Sequence, residues 1–193
     1  MIIGAFVFGN INETKAFNPF YQSLKEIPGD ITSLFFGNKN EESEAKTDPP
    51  SNGIADKEME LTDKVVSVNS LEEVQNRSAF QIPSFKYIPV GYKFKNADLF
   101  MLDGDNTFRK VRLTFSNKEK SFWVSLNPLE SDTTVGSGSK KSNIKEIQLK
   151  NGKGYLTISD DGNSKLEFLR GNVYVSVLGD LPQEELIRFA NNM

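Results

Sequence analysis

Three short stretches carry residue types that could do chemistry. Asp103-Gly-Asp105-Asn-Thr107 places carboxylates at the first ligand positions of a calcium loop. The match ends there, because Phe108 stands where such a loop needs glycine and Thr114 where it needs a bidentate glutamate; the stretch reads as a hairpin turn. Asp160-Asp161-Gly162-Asn163 is likewise a turn, and its aspartates have no partner acid at a spacing suited to acid–base work. Lys140-Lys141, in a loop rich in serine and glycine, could touch phosphate or an acidic surface but reads as a solubilising pair. The chain contains no cysteine and no histidine. That excludes disulfides, thiol nucleophiles, Cys/His zinc sites and every Ser-His or Cys-His arrangement. The sequence therefore designates no catalytic, cofactor-binding or metal-binding residue, and the chain reads as a non-enzyme that needs no cofactor. An enzyme working through carboxylates alone would need two acids converging in a cleft.

The elements that would position any site divide along the chain by charge. Residues 1–70 carry 6 Lys/Arg against 11 Asp/Glu, and residues 71–193 carry 17 against 15. A net charge of -3 gives no electrostatic footprint for nucleic acid. The acidity centres on residues 38–64, where apolar residues are few and Pro49-Pro50 and Gly53 interrupt any period, so this stretch reads as an acidic flexible linker.

Residues 1–37 read as a membrane-proximal segment with short helices. Asn18-Pro19 can start one that runs to about Ile27; Pro28-Gly29 breaks it, and Asp30 can cap a further turn carrying Ile31, Leu34, Phe35 and Phe36. The opening MIIGAFVFG is too short to span a bilayer and has neither the basic region nor the cleavage site of a secretory signal. It reads either as a strand or helix buried on the domain or as the outer end of a membrane helix.

Residues 65–193 read as the main domain. Ser70-Leu-Glu-Glu73 is a capping box for a helix to about Ala79, with Leu71, Val74 and Ser78 inward. Pro83 and Pro89 then forbid helix, and Pro89-Val-Gly91 fits a type I turn. Beyond that the period changes to two: Val111, Leu113 and Phe115, then Phe122, Val124 and Leu126, alternate with polar residues. Trp123 points away from that apolar set, either beneath a helix or onto a binding face. A hairpin turning at Asn151-Gly152 should use a type I′ turn, another turns at Arg170-Gly171, and SDTTVGSGSKKSN between the hairpins reads as a flexible loop. VYVSVL, apolar on nearly both faces, belongs in the middle of a sheet covered on each side. Asp180-Leu-Pro-Gln183 starts a last helix whose Leu186, Phe189, Ala190 and Met193 form one apolar stripe. The fold class is α+β: a curved antiparallel sheet of about six or seven meander-ordered strands with an N-terminal and a C-terminal helix packed on it.

The run LEEVQNRSAFQIPSFKYIPVGYKFK, the antiparallel strands and the ending NVYVSVLGDLPQEELIRFANNM together resemble the domain of unknown function 4367 family over about residues 69–193. The resemblance rests on the Pro83 to Tyr92 stretch and the Leu178 to Ala190 ending. It implies an extracytoplasmic domain behind a single membrane helix in Gram-positive bacteria, in proteins resembling anti-sigma factors or sporulation proteins, with no catalytic residues to carry over. The expected function is a non-catalytic sensor or interaction module in envelope or sigma-factor signalling, on the outer side of the cell membrane. Its anchor would be a helix preceding or overlapping residues 1–9. Its partner would be an unknown protein or an apolar ligand, with a lipoprotein-carrier-like binder or an intracellular protein-interaction domain as alternatives.

Overall fold

Alternation of apolar and polar residues builds most of this molecule. The computed structural model describes residues 20–27, 31–38, 64–101, 107–130, 134–140, 143–159 and 162–193. Its strands are β1 (Phe20–Ile27), β2 (Ile31–Asn38), β3 (Lys64–Val68), β4 (Lys93–Met101), β5 (Lys110–Asn117), β6 (Lys120–Pro128), β7 (Val135–Lys140), β8 (Ile144–Leu149), β9 (Gly152–Ile158), β10 (Ser164–Arg170) and β11 (Val173–Gly179). Helix α1 (Leu71–Arg77) follows β3, and α2 (Gln183–Ala190) follows β11.

The strands form an eight-stranded antiparallel sheet, ordered β3-β4-β5-β6-β11-β10-β9-β8, and a three-stranded one, β1-β2-β7. The α+β class is as expected, while the six or seven strands in plain meander order are corrected. Each half of the large sheet is a meander, but β6 pairs with β11 rather than with β7, so the second meander is laid down in reverse order.

The face turned to the helices holds the main core. Leu99, Val111, Leu113, Phe115, Phe122, Val124, Leu126, Leu166, Val175 and Val177 are fully buried there with Val74 of α1 and Leu186 and Phe189 of α2. Phe115 and Phe122 stack at 4.9 Å, and Phe189 meets both edge-on at 5.9 and 5.2 Å. Such aromatic pairs add about 0.5–1.5 kcal/mol each beyond the area they bury. The Ser70 cap is present, its Oγ accepting from the Glu73 amide at 3.1 Å, while the Glu73 carboxylate pairs with Arg77. The capping pattern expected for α2 is not: Pro182 occupies the cap position without a side-chain bond, and Asp180 pairs with Lys120 at 2.6 Å.

The short helices expected within residues 1–37 are replaced, over the described part, by the β1-β2 hairpin. Proline and glycine suggested helix ends, but Thr32, Leu34 and Phe36 recur at a period of two and are all buried on one side, which only a strand can do. Residues 1–19, with the decapeptide at the start and the Asn18-Pro19 cap, lie outside the described residues, as do residues 39–63 of the acidic stretch. Part of the expected serine-glycine loop is strand β7, which takes its place by backbone pairing with β2.

Two turns differ in detail. Tyr92 N donates to Pro89 O at 3.0 Å and Gly91 has φ +85°, which makes this a type II turn with glycine at its third position. The β8-β9 loop is Lys150-Asn151, because Leu149 pairs with Gly152; the positive φ of +137° falls on Gly152 in place of a type I′ turn.

Candidate functional site

The same alternation that sends one set of side chains into the core sends the other set to the outer face of the large sheet. Register places that set in continuous rows. One row runs Ser67, Asp98, Arg112, Ser125, Ser176, Glu167, Tyr155 and Glu146 across all eight strands. The rows on either side contain Asn96, Thr114, Trp123, Leu178 and Lys165, and Val65, Phe100, Lys110, Asn127, Tyr174 and Leu169.

The small sheet covers the half around β9, β10 and β11. Leu34 and Phe36 pack there on Tyr155, Tyr174 and Leu129, with the Phe36 ring 4.8 Å from Tyr174 and 6.2 Å from Tyr155. Glu167 is only 1% exposed at this junction. Tyr174 OH donates to its Oε1 at 2.5 Å, Ser137 Oγ donates to Oε2 at 3.0 Å, and Lys165 Nζ stands 3.0 Å from Oε1. Three donors on one carboxylate satisfy a charge that would otherwise be costly to bury. Burial, and next the Glu167 charge and hydrogen bond, push the Tyr174 phenol far above its ordinary range. With no second acid among the described contacts of Glu167, this cluster clamps the two sheets together.

Among the described residues, no second sheet covers the other half, from β3 to β6 with the Leu178 end of β11. Trp123 and Leu178 are cross-strand partners, each 40% exposed. The helices pack on the opposite face, so of the two expected settings for Trp123 the structure has the exposed one. Lys110 Nζ and the Arg112 guanidinium lie 5.2 and 5.4 Å from the Phe100 ring centre, within cation–π range. Ser67 Oγ donates to Asp98 at 2.6 Å. Beyond a register shift between Phe94 and Asn96, Lys93 pairs with Ser116, and that pairing puts it on the same face. Among the described residues, no carboxylate stands within ion-pair distance of Lys93, Lys110 or Arg112.

A second concavity, an open cleft of about 680 Å³, lies between the Pro89-Gly91 turn and the start of α2. Its polar groups answer one another: Lys120 with Asp180, Tyr87 OH with Glu185 at 2.5 Å, and Arg188 stacked 4.2 Å over the Tyr87 ring. The hydrogen bond to Glu185 raises the Tyr87 phenol and that to Asp180 raises the Lys120 ammonium. Each of the two acids is thus engaged by a neighbour on the cleft wall.

Of the stretches singled out in the sequence, Asp103 and Asp105 of the calcium-like loop, Asp160-Asp161 and Lys141 lie outside the described residues. Lys140 contributes backbone to β7. The described residues contain no group of three or more metal-ligating side chains and no helix long and apolar enough to cross a membrane. Lys110, Arg112, Phe100 and Leu178 were not singled out in sequence, although the alternation that turned Trp123 away from the core turns Arg112 and Leu178 with it.

Comparison with curated proteins and with solved structures returned no significant match. Residues 82–193 match the family described as Domain of unknown function (DUF4367), which extends from the Pro83–Tyr92 stretch through the large sheet to the last residue of α2 and beyond; the chain belongs to that family.

Proposed function

We propose that this protein is a non-catalytic interaction module on the extracytoplasmic side of a membrane-anchored protein, acting in envelope or sigma-factor signalling, and that it recognises a partner protein through the open half of its large sheet. The observation that carries the reading is the Trp123–Leu178 pair, two large apolar side chains standing together in solvent on a regular sheet face. The absence of cysteine and histidine from the chain supports the non-catalytic part. Phe85, Phe115, Phe122 and Phe189 occupy the space between the sheet and α2, which favours recognition at the surface over an apolar ligand held between the layers. The anchor in this reading is a helix preceding or overlapping residues 1–9.

A chain without cysteine allows a clean topology test. Ser51→Cys, expressed in the native full-length protein, is challenged in intact cells with a membrane-impermeant maleimide. Labelling before lysis is the expected result; labelling only after lysis overturns the extracytoplasmic placement.

A further inference from the structure

We propose that the open half of the outer face takes an acidic polypeptide segment of a partner protein. This rests on the reading of that face as the recognition surface and adds the chemistry of what it recognises.

Charge gives the sign. Among the described residues, Lys93, Lys110 and Arg112 share the face with one acid, Asp98, which already accepts from Ser67. The chain as a whole is at -3, so the patch runs against the net charge. Cations with no carboxylate partner among the described residues, beside exposed Trp123, Leu178 and the Phe100 ring, suit a ligand that brings carboxylates and apolar groups together.

Shape gives the class. Stacked sheets lie about 10 Å apart, so the small sheet over β9 to β11 stands as a wall beside the open floor. The floor is four strands wide, about 15 Å at the usual spacing of neighbouring strands. An extended chain or a single helix of about 10 Å diameter fits on such a floor. A planar bilayer surface would rest on the wall and be held off Trp123.

The test uses the full chain and a short synthetic peptide in which glutamate alternates with valine, with its glutamine counterpart as control. Trp123 is the only tryptophan, so its emission reports on the face directly. The glutamate peptide should shift and saturate Trp123 emission, weaken as salt is raised, and bind about tenfold better than the glutamine peptide. Lys110→Gln combined with Arg112→Gln should weaken it about three- to tenfold with an unchanged melting temperature. Equal binding of the two peptides overturns the acidic assignment. A Trp123 response to vesicles containing phosphatidylglycerol, with none to the peptide, overturns the polypeptide assignment and leaves the surface reading standing. Binding that appears only after the acidic residues of 38–64 are exchanged for their amides would make the chain's own segment the occupant and overturn the partner assignment. Glutamate-peptide binding, followed by dye anisotropy, that survives both Trp123→Ala and the double variant overturns the proposal and the surface reading together.

Discussion

Rows of residues that run unbroken across the outer face change character between β10 and β6. Glu167, Tyr155 and Tyr174 lie buried beneath the small sheet, while Arg112 and Ser125, in the row of Glu167, and Lys110, in the row of Tyr174, meet solvent. The two halves arise from the same alternation and contain similar residue types, including aromatic rings and charged groups on both sides. What separates them is a backbone event, the pairing of β7 with β2, which fixes where the small sheet sits. Burial of a polar, aromatic sheet face is therefore decided here by a strand reading VGSGSK, which has one apolar residue of its own. The covered half should respond to substitution in stability, and the open half in recognition.

The largest effect belongs to the ring that joins the sheets. Phe36 is fully buried against Tyr155 and Tyr174, so Phe36→Ala should cost roughly 3–5 kcal/mol, read as a lowered denaturation midpoint. Tyr174→Phe keeps the ring and removes one donor from a buried carboxylate, and chemical denaturation at neutral pH should show a loss of about 1–3 kcal/mol. The same phenol sets a pH dependence. Its folded pKa is raised above the ordinary 10.0, so the folded state holds the proton more tightly than the unfolded chain. Its stabilising contribution is therefore complete below about pH 10 and declines as the pH rises further; Tyr174→Phe should flatten the alkaline limb of a stability-against-pH curve. Tyr155 and Tyr87 are raised as well and should leave part of that slope in place. Smallest in stability is Trp123→Ala, within about 0.5 kcal/mol of the parent by thermal melting, while it should remove most of the acidic-peptide binding. A loss of several kcal/mol there would mean that the two halves are not distinct in role.

Much of the architecture was legible because its signals are local. The Ser70 cap, the inward Val74, the alternation through Val111–Phe115 and Phe122–Leu126, and the Leu186, Phe189, Ala190 and Met193 stripe each need only neighbours along the chain. The N-terminal hairpin was not, since proline and glycine signals for helix ends competed with the period-two burial of Thr32, Leu34 and Phe36, and a distant strand decided the outcome. For the candidate site the direction of Trp123 could be read from Phe122 and Val124 on either side of it. Which rows stay uncovered could not, because that depends on β7. The plain meander order failed for a related reason: the β6-β11 pairing leaves no mark in either strand that separates it from any other buried neighbour.

That pairing also bears on how the chain reaches its fold. Within β3 to β6 each strand pairs with the next in sequence, and so it is within β8 to β11. The halves meet along one seam, where Val124 faces Val177 and Leu126 faces Val175. Contacts within each meander close short loops, whereas the Pro128–Val173 pairing at the seam must first close the whole second meander into a loop, and that entropy is repaid only when the valine and leucine pairs come together. The topology thus implies a late joining step for the large sheet. Until it is complete, β6 and β11 are two apolar strand edges exposed on half-built sheets, which makes this seam the place where one chain is most open to pairing with another.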